Sequence, residues 1–151
     1  MSADTAKKYL ETQIRTASRE QLLLLMYDGA IRFCEKAVHA MREARVEESH
    51  AALIKAQGVL MELMCSLDQA VQPEFSKRLF SLYNFWYLRL VEANLHRDAA
   101  RVEGVLAMLR PLRRAWAEAV EKIRSDGGGG VGAKTPVIPA VPATSSLNLQ
   151  G

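Results

Sequence analysis

Apolar side chains recur at intervals of three and four residues along four stretches of the chain, which is the spacing of one face of an α-helix. Ser18 and Gln21 mark the start of the first stretch, because a serine and a glutamine three residues apart can form a capping box. The apolar positions of the first two predicted helices are Leu23, Tyr27, Ala30, Cys34, Ala37 and Met41, then Leu53, Ala56, Leu60, Leu63, Leu67 and Ala70. Those of the third and fourth are Phe75, Leu79, Leu82, Trp86, Leu90 and Ala93, then Val102, Val105, Leu109, Leu112, Trp116, Val120 and Ile123.

The breaks between these stretches are short, so consecutive helices are expected to be antiparallel neighbours. Pro73 suits the first turn of the third helix, where its missing N–H does no harm, and Asp98 can cap the fourth. Pro111 falls inside the fourth helix, where proline removes one hydrogen bond and clashes with the preceding turn. Because the apolar spacing continues past it, we expect a kink over residues 107–110 in one helix.

Composition divides the chain into three parts. Residues 1–17 are polar with a few apolar points and form an N-terminal cap segment, and residues 18–124 carry the helical pattern. Residues 125–151 hold six of the nine glycines and three of the five prolines, which is typical of a flexible tail. The predicted fold is therefore all-α, an antiparallel up-down four-helix bundle with an N-terminal cap segment and a disordered C-terminal tail.

Charge and apolar run length argue against nucleic acid and membrane partners. The formal net charge is only +3, with basic residues scattered among acidic ones, unlike the basic stripe of a nucleic-acid binder. The longest apolar run, residues 22–27, is six residues long, whereas a membrane span needs about 20. The first 16 residues also lack a signal-peptide pattern. We expect a cytoplasmic protein without membrane insertion, with Cys34 and Cys65 as reduced thiols.

Residues for catalysis or metal binding are few. The three histidines, His39, His50 and His96, do not occur in a zinc-binding spacing. The glycine run at residues 127–130 lies in the tail rather than between a strand and a helix. We therefore expect no enzyme activity, no metal and no cofactor.

Aromatic residues are concentrated in the third predicted helix. Tyr83, Phe85, Trp86 and Tyr87 fall within five residues of the segment LYNFWYLRL, and their side chains point in several directions around a helix. One bundle interior cannot absorb them all. An apolar surface groove, a tightly packed core or a dimeric core would each account for them.

Four blocks in register resemble the flagellar export chaperone family FliS. They are YLETQIRTASREQLLLLMYDGAIRF, LIKAQGVLMEL, LYNFWYLRLVEANLHRD and LRPLRRAWAEAV, which together lie between residues 9 and 123. Trp86 and Pro111 depart from the family pattern, and the tail has no counterpart in it. The resemblance implies a cytosolic helical protein of bacterial flagellum biogenesis that binds the C-terminal segment of flagellin. It also implies that the protein prevents premature polymerisation and aids type III export, with the flagellar export gate as a second candidate partner.

The resemblance also implies a groove for the client, whose segment becomes helical as it binds. We place the client-binding residues on one face of the second helix and one face of the third: Ile54, Gln57, Met61 and Met64, with Tyr83, Tyr87 and Asn94. Asn94 can bond a client backbone group or serve as a turn residue. In the free protein the N-terminal segment is expected to cover part of the groove through Tyr9, Leu10 and Ile14.

Two alternatives stay open from the sequence. A helical homodimer with a structural or regulatory role in flagellar assembly would hide the aromatic face against a second copy. The final residues, TSSLNLQG, either are disordered or dock on the apolar groove as a stand-in for the client.

Overall fold

The computed structural model describes residues 2–126 and Leu149, and five helices account for most of this part of the chain. They are α1 (Ala3–Thr16), α2 (Arg19–Arg42), α3 (Val46–Cys65), α4 (Pro73–His96) and α5 (Ala99–Ser125). The described chain is all-helical, as predicted. Predictions for residues 127–148, 150 and 151 lie outside the described residues.

Four of the helices close a ring around one core. Helix α2 packs against α3 and α5, and α4 packs against the same two helices. The largest fully buried side chains include Trp86, Tyr27, Tyr83 and Phe33. Three ion pairs join α2 to α5: Asp28–Arg113, Glu35–Arg110 and Arg42–Glu103. Residue numbers increase along α2 from pair to pair while they decrease along α5, so these two helices run antiparallel.

The local signals read from the sequence start the helices where expected. Ser18 caps α2 in a complete capping box with Gln21, and the Asp98 side chain accepts a hydrogen bond from the Ala100 N–H at the start of α5. Pro73 occupies the first turn of α4. Because each signal satisfies or removes a backbone donor, it acts without help from tertiary contacts.

Helix boundaries differ from the prediction in two places. The N-terminal segment forms a helix of its own, which Ser2 caps by accepting from the Thr5 N–H. The second predicted helix was extended to Ala70, but α3 ends at Cys65. The reason is local: the Ser66 hydroxyl bonds the Leu63 carbonyl, and the Asp68 carboxylate accepts from the Ala70 N–H, which fixes a turn.

Two further expectations concern Pro111 and the tail. Helix α5 runs through Pro111 without interruption from Ala99 to Ser125, so the proline does not split it. In the tail, Leu149 is buried and belongs to the core cluster, which contradicts full disorder at that position.

Candidate functional site

The seam between α3 and α4 brings together several of the predicted client-binding residues. One end of it is marked by a hydrogen bond of 2.8 Å between the Asn94 side-chain amide and His50 Nδ1. This contact joins the start of α3 to the end of α4, so Asn94 is a seam residue within α4 and not a turn residue. From His50, steps of four and three residues along α3 lead to Ile54, Gln57 and Met61, which therefore share the edge that faces α4.

The α3 edge divides into exposed and buried side chains. Ile54 and Met61 are 49% and 43% exposed, which is high for large apolar side chains. Gln57 and Met64 are buried, at 8% and 7% exposure. The exposed pair forms the α3 wall of the seam, while the prediction of an exposed wall was wrong for Gln57 and Met64.

The α4 edge carries an aromatic residue that sequence reasoning missed. From Asn94, backward steps of three and four lead to Val91, Tyr87, Asn84 and Phe80, all on the edge toward α3. Phe80 is 42% exposed, and Tyr87 is half-buried and packs on the core. Phe80 stands seven residues before Tyr87, and that heptad spacing could have identified it.

Tyr83 lies in the core rather than on the wall, and this corrects the prediction of an exposed position. Its hydroxyl shares a 2.9 Å hydrogen bond with the Tyr27 hydroxyl of α2. The Tyr83 ring lies 6.3 Å from the Tyr27 ring and 5.8 Å from the Trp86 ring, measured between centroids. Three aromatic residues from α2 and α4 thus meet beneath the seam.

The buried tyrosine pair carries no charge at neutral pH. Burial raises the pKa of Tyr27 to about 12, and the hydrogen bond with Tyr83 offsets part of this rise. Burial also raises the pKa of Tyr83 well above its usual range, with its coupling to Tyr27 adding to the effect. The pair is therefore a neutral, hydrogen-bonded element of the core and offers no acid or base to a substrate.

The end of the N-terminal segment lies on a flank other than the predicted groove, and its three predicted groove-covering residues differ in burial. Ile14 is buried, Leu10 is half-buried against the core, and Tyr9 is 65% exposed. The end of α1 lines a cavity of about 440 Å³ together with Asp28 of α2 and Arg113 of α5. In the ring of four helices, the α2–α5 flank is opposite the α3–α4 seam.

Two of the residues that line this cavity, Asp28 and Arg113, form a bidentate ion pair. The Arg113 guanidinium donates to both Asp28 carboxylate oxygens, at 2.8 and 3.1 Å. In the part of the chain that the structure describes, no three His, Cys, Asp or Glu side chains come together in a way that could hold a metal ion. Within residues 2–126, no helix combines the length and apolarity needed to cross a bilayer.

Comparisons with known proteins agree with this architecture. The profile of the family described as "Flagellar protein FliS" matches residues 1–123. A Bacillus subtilis (strain 168) protein named "Flagellar secretion chaperone FliS" is 31% identical over 125 residues, which cover 82% of this chain and 92% of that protein. The Escherichia coli (strain K12) protein of the same name is 30% identical over 74% of this chain and 82% of its own length.

A solved structure shares the fold. It is described as "Crystal structure of flagellar chaperone from bacteria" and superposes with a TM-score of 0.66, covering 79% of this chain and 97% of that one. Since the two sequences are only 17% identical, this likeness concerns the fold alone.

Proposed function

The chain belongs to the FliS family of flagellar secretion chaperones, and from this premise we propose that it binds the C-terminal segment of flagellin. In this proposal it acts in the cytoplasm, keeps the segment from polymerising early and aids its delivery to the flagellar export gate. Helices α2–α5 serve as an antiparallel bundle that presents the client site. The protein has no catalytic role.

The observation that carries the proposal is the apolar seam between α3 and α4. Ile54, Met61 and Phe80 are large apolar side chains, each more than two-fifths exposed, at the edges of two helices that pack together. Exposed apolar surface of this kind marks a protein interaction site. A groove between two helices suits the apolar face of a third, so an amphipathic client helix fits the seam.

The polar pair at the end of the seam gives the client an anchor. Asn94 and His50 bond each other in the free protein, so neither side chain lacks a partner before the client binds. In the complex, a client backbone group can form a further hydrogen bond with this pair. Tyr83 and Met64 lie below the exposed wall and support it from the core. We therefore keep Ile54, Met61, Tyr87 and Asn94 as contact residues and assign Gln57, Met64 and Tyr83 a supporting position.

Binding couples to folding of the client in this proposal. The client gains helical structure as its apolar face is buried, and the ordering cost is offset by the area removed from water. Burial of apolar surface gives a negative heat-capacity change, which is the most dependable thermodynamic marker of such binding.

Titration calorimetry of the full chain against the C-terminal segment of flagellin from the same cell tests the proposal. The expected result is 1:1 binding, a negative heat-capacity change between two or more temperatures, and a gain of helical circular dichroism beyond the sum of the components. Sedimentation of the chain alone gives the control for self-association. A folded chain that gives no heat at any temperature, and that sediments as a dimer, would instead favour the homodimeric module.

A further inference from the structure

Among the residues that the structure describes, the last along the chain is Leu149, which is 1% exposed and belongs to the core cluster. Its backbone carbonyl accepts a hydrogen bond from the Arg32 guanidinium of α2. Its side chain lies over Gly29, one turn before Arg32 on the same helix. Both the side chain and the backbone of this residue are therefore held.

Leu149 lies against the seam between α2 and α3, which is not the predicted client groove. Phe33 is on the same edge of α2 as Gly29, four residues later, and its ring is approached by Lys55 of α3 at 5.7 Å. Arg32 also lies 5.1 Å from the centre of that ring. Leu149 is therefore on the α2–α3 side of the bundle, whereas the predicted client groove is on the α3–α4 side.

The absence of a side chain at Gly29 makes this contact possible. A Cβ built at Gly29 would lie 2.7 Å from Leu149 Cδ2, closer than two carbon atoms can approach. The other helical glycines that the structure describes, Gly58 and Gly104, have no atom within 4 Å of such a Cβ. Glycine is a poor helix former, yet at Gly29 it opens the helix surface to one leucine side chain.

We propose that this surface, defined by Gly29, Arg32 and Phe33 and here named the leucine site, is a peptide-binding site. It takes one leucine side chain over Gly29 and the carbonyl of the same residue on Arg32. The chain's own Leu149 fills it as a displaceable intramolecular ligand. The inference does not depend on flagellin binding, because the ligand is a segment of this chain and the seam is a different one.

The affinity that this requires can be bounded. A covalently tethered ligand has an effective concentration on the order of 1 mM. For the tethered Leu149 to fill the leucine site more than nine-tenths of the time, a free peptide of the same sequence needs a Kd of about 0.1 mM or below. A separate leucine-containing peptide at higher concentration then competes with the tail.

The first experiment detects the contact in the full chain. With Leu149 labelled in its methyl groups, nuclear Overhauser contacts to the Gly29 α-hydrogens are expected, together with methyl shifts outside the range of an unfolded peptide. The variant Leu149→Asp should lose the contacts and keep the remaining spectrum of α2–α5. Unfolded-type Leu149 methyl shifts in the wild-type chain, with no contact to Gly29, would overturn the proposal.

The second experiment tests whether the surface accepts a separate peptide. A fluorescent TSSLNLQG peptide is titrated with the full-length wild-type chain and with Leu149→Asp, and anisotropy is measured. Binding to Leu149→Asp is expected with a Kd of about 0.1 mM or below, and at least about tenfold weaker binding to the wild type, whose site is already filled. A peptide carrying aspartate at the Leu149 position should bind neither chain.

Equal binding to the two chains, or no binding to folded Leu149→Asp at about 1 mM peptide, would overturn the proposal. Leu149→Ser serves as a second variant if aspartate perturbs the fold. Because flagellin is absent from the assay, its outcome is independent of the proposed chaperone function.

The third experiment uses two glycines as a matched pair. Gly104→Ala should raise the Tm by about 2–4 °C, because alanine favours the helix and the site is open. Gly29→Ala should raise the Tm less, since the new methyl group displaces Leu149. In the Leu149→Asp background the two substitutions should have equal effects, and a Gly29→Ala effect that is the same in both backgrounds would contradict the proposal.

Discussion

At the residue scale, the Tyr27–Tyr83 pair shows why an aromatic-rich helix need not be an aromatic-rich surface. Tyrosine is amphipathic, and its hydroxyl can enter a core only with a hydrogen-bond partner. Here α2 and α4 each supply one hydroxyl, and in the 2.9 Å bond between them one hydroxyl donates and the other accepts. The pair therefore links two helices across the bundle as well as filling its interior.

Removing one hydroxyl of this pair should cost more than removing both. Tyr83→Phe leaves the Tyr27 hydroxyl buried without its partner, so we expect a loss of about 1–3 kcal/mol in the free energy of unfolding. The double variant Tyr27→Phe, Tyr83→Phe should recover part of this loss, since neither hydroxyl then lies unpaired. Urea unfolding of the four proteins in this cycle measures the coupling, and strictly additive losses would contradict it.

Cys34 predicts a pH dependence of stability. Burial raises the pKa of its thiol from 9.0 to about 12, with the nearby Glu35 carboxylate adding to the rise and Arg110 opposing it. Between these two pH values the unfolded chain has released the proton and the folded chain has kept it. The stabilisation is therefore complete below pH 9 and is lost as the pH rises toward 12.

The resulting loss is roughly 1 kcal/mol from this thiol between pH 8 and pH 10. Urea unfolding of the wild type and of Cys34→Ala at both pH values isolates the contribution, because lysine and tyrosine titration is common to the two proteins. The variant should lose less stability than the wild type over this interval. Cys65→Ala is the matched control, since Cys65 is exposed, and it should fall in parallel with the wild type.

At the scale of helices, the starts were predicted better than the ends. Ser18, Pro73 and Asp98 each act on backbone groups of their own first turn, so the sequence contains the whole cause. The end of α3 at Cys65 cannot be found from apolar spacing, because that spacing continues to Ala70. The helix ends earlier because the side chains of Ser66 and Asp68 form hydrogen bonds that fix a turn. Helix α1 was missed because its few apolar residues need the rest of the bundle to pack against.

Helical spacing predicted which edges of α3 and α4 lie together but not how deeply their side chains are buried, and client binding at this seam stays a prediction. Helical spacing identifies Ile54, Gln57 and Met61 as one edge of α3, and the His50–Asn94 contact bears out that this edge faces α4. Spacing does not give the rotation of α3 about its own axis relative to its neighbours. That rotation determines which residues of the edge are covered, so Gln57 is buried while Ile54 is exposed. Phe80 stands apart from the dense aromatic run at residues 83–87, so composition alone does not mark it.

Gly58 provides a prediction for helix α3. It is exposed, and a Cβ added there meets nothing within 4 Å, so Gly58→Ala should stabilise the protein by about 0.8–1 kcal/mol through helix propensity alone. Urea unfolding measures the gain, and Gly104→Ala on α5 should match it. A loss of stability at Gly58 would mean that the α3 backbone there departs from a regular helix.

At the scale of the whole molecule, two opposite flanks of the bundle differ in chemistry. The α2–α5 flank is lined by ion pairs from Asp28–Arg113 to Arg42–Glu103. Such partly exposed pairs add little stability but favour one alignment of the two helices. The opposite α3–α4 flank instead exposes Ile54, Met61 and Phe80. The seam therefore offers apolar contacts where the opposite flank offers ion pairs, although α4 also exposes Phe85, Leu88 and Leu95 away from the seam.

Met61→Glu tests whether the proposed client binds at the α3–α4 seam. A charge in the middle of the apolar seam should weaken flagellin binding by about 10–100-fold, because it removes burial of the exposed part of Met61, worth about 1 kcal/mol, and adds a desolvation cost. Since Met61 is 43% exposed in the free chain, the Tm and the helical circular dichroism should stay close to wild type. Calorimetry gives the affinity.

Phe85→Glu is the control that makes this result specific to the seam. Phe85 is on α4 like Phe80 and is comparably exposed, at 47%, but helical spacing places it on the side of α4 away from α3, where Arg89 lies over its ring. If exposed apolar area alone attracted the client, both substitutions would weaken binding equally, and the proposed seam would be wrong. If position matters, Phe85→Glu keeps wild-type affinity while Met61→Glu loses it. That difference would assign the client to the α3–α4 side, opposite the flank where the end of α1 and the ion pairs lie.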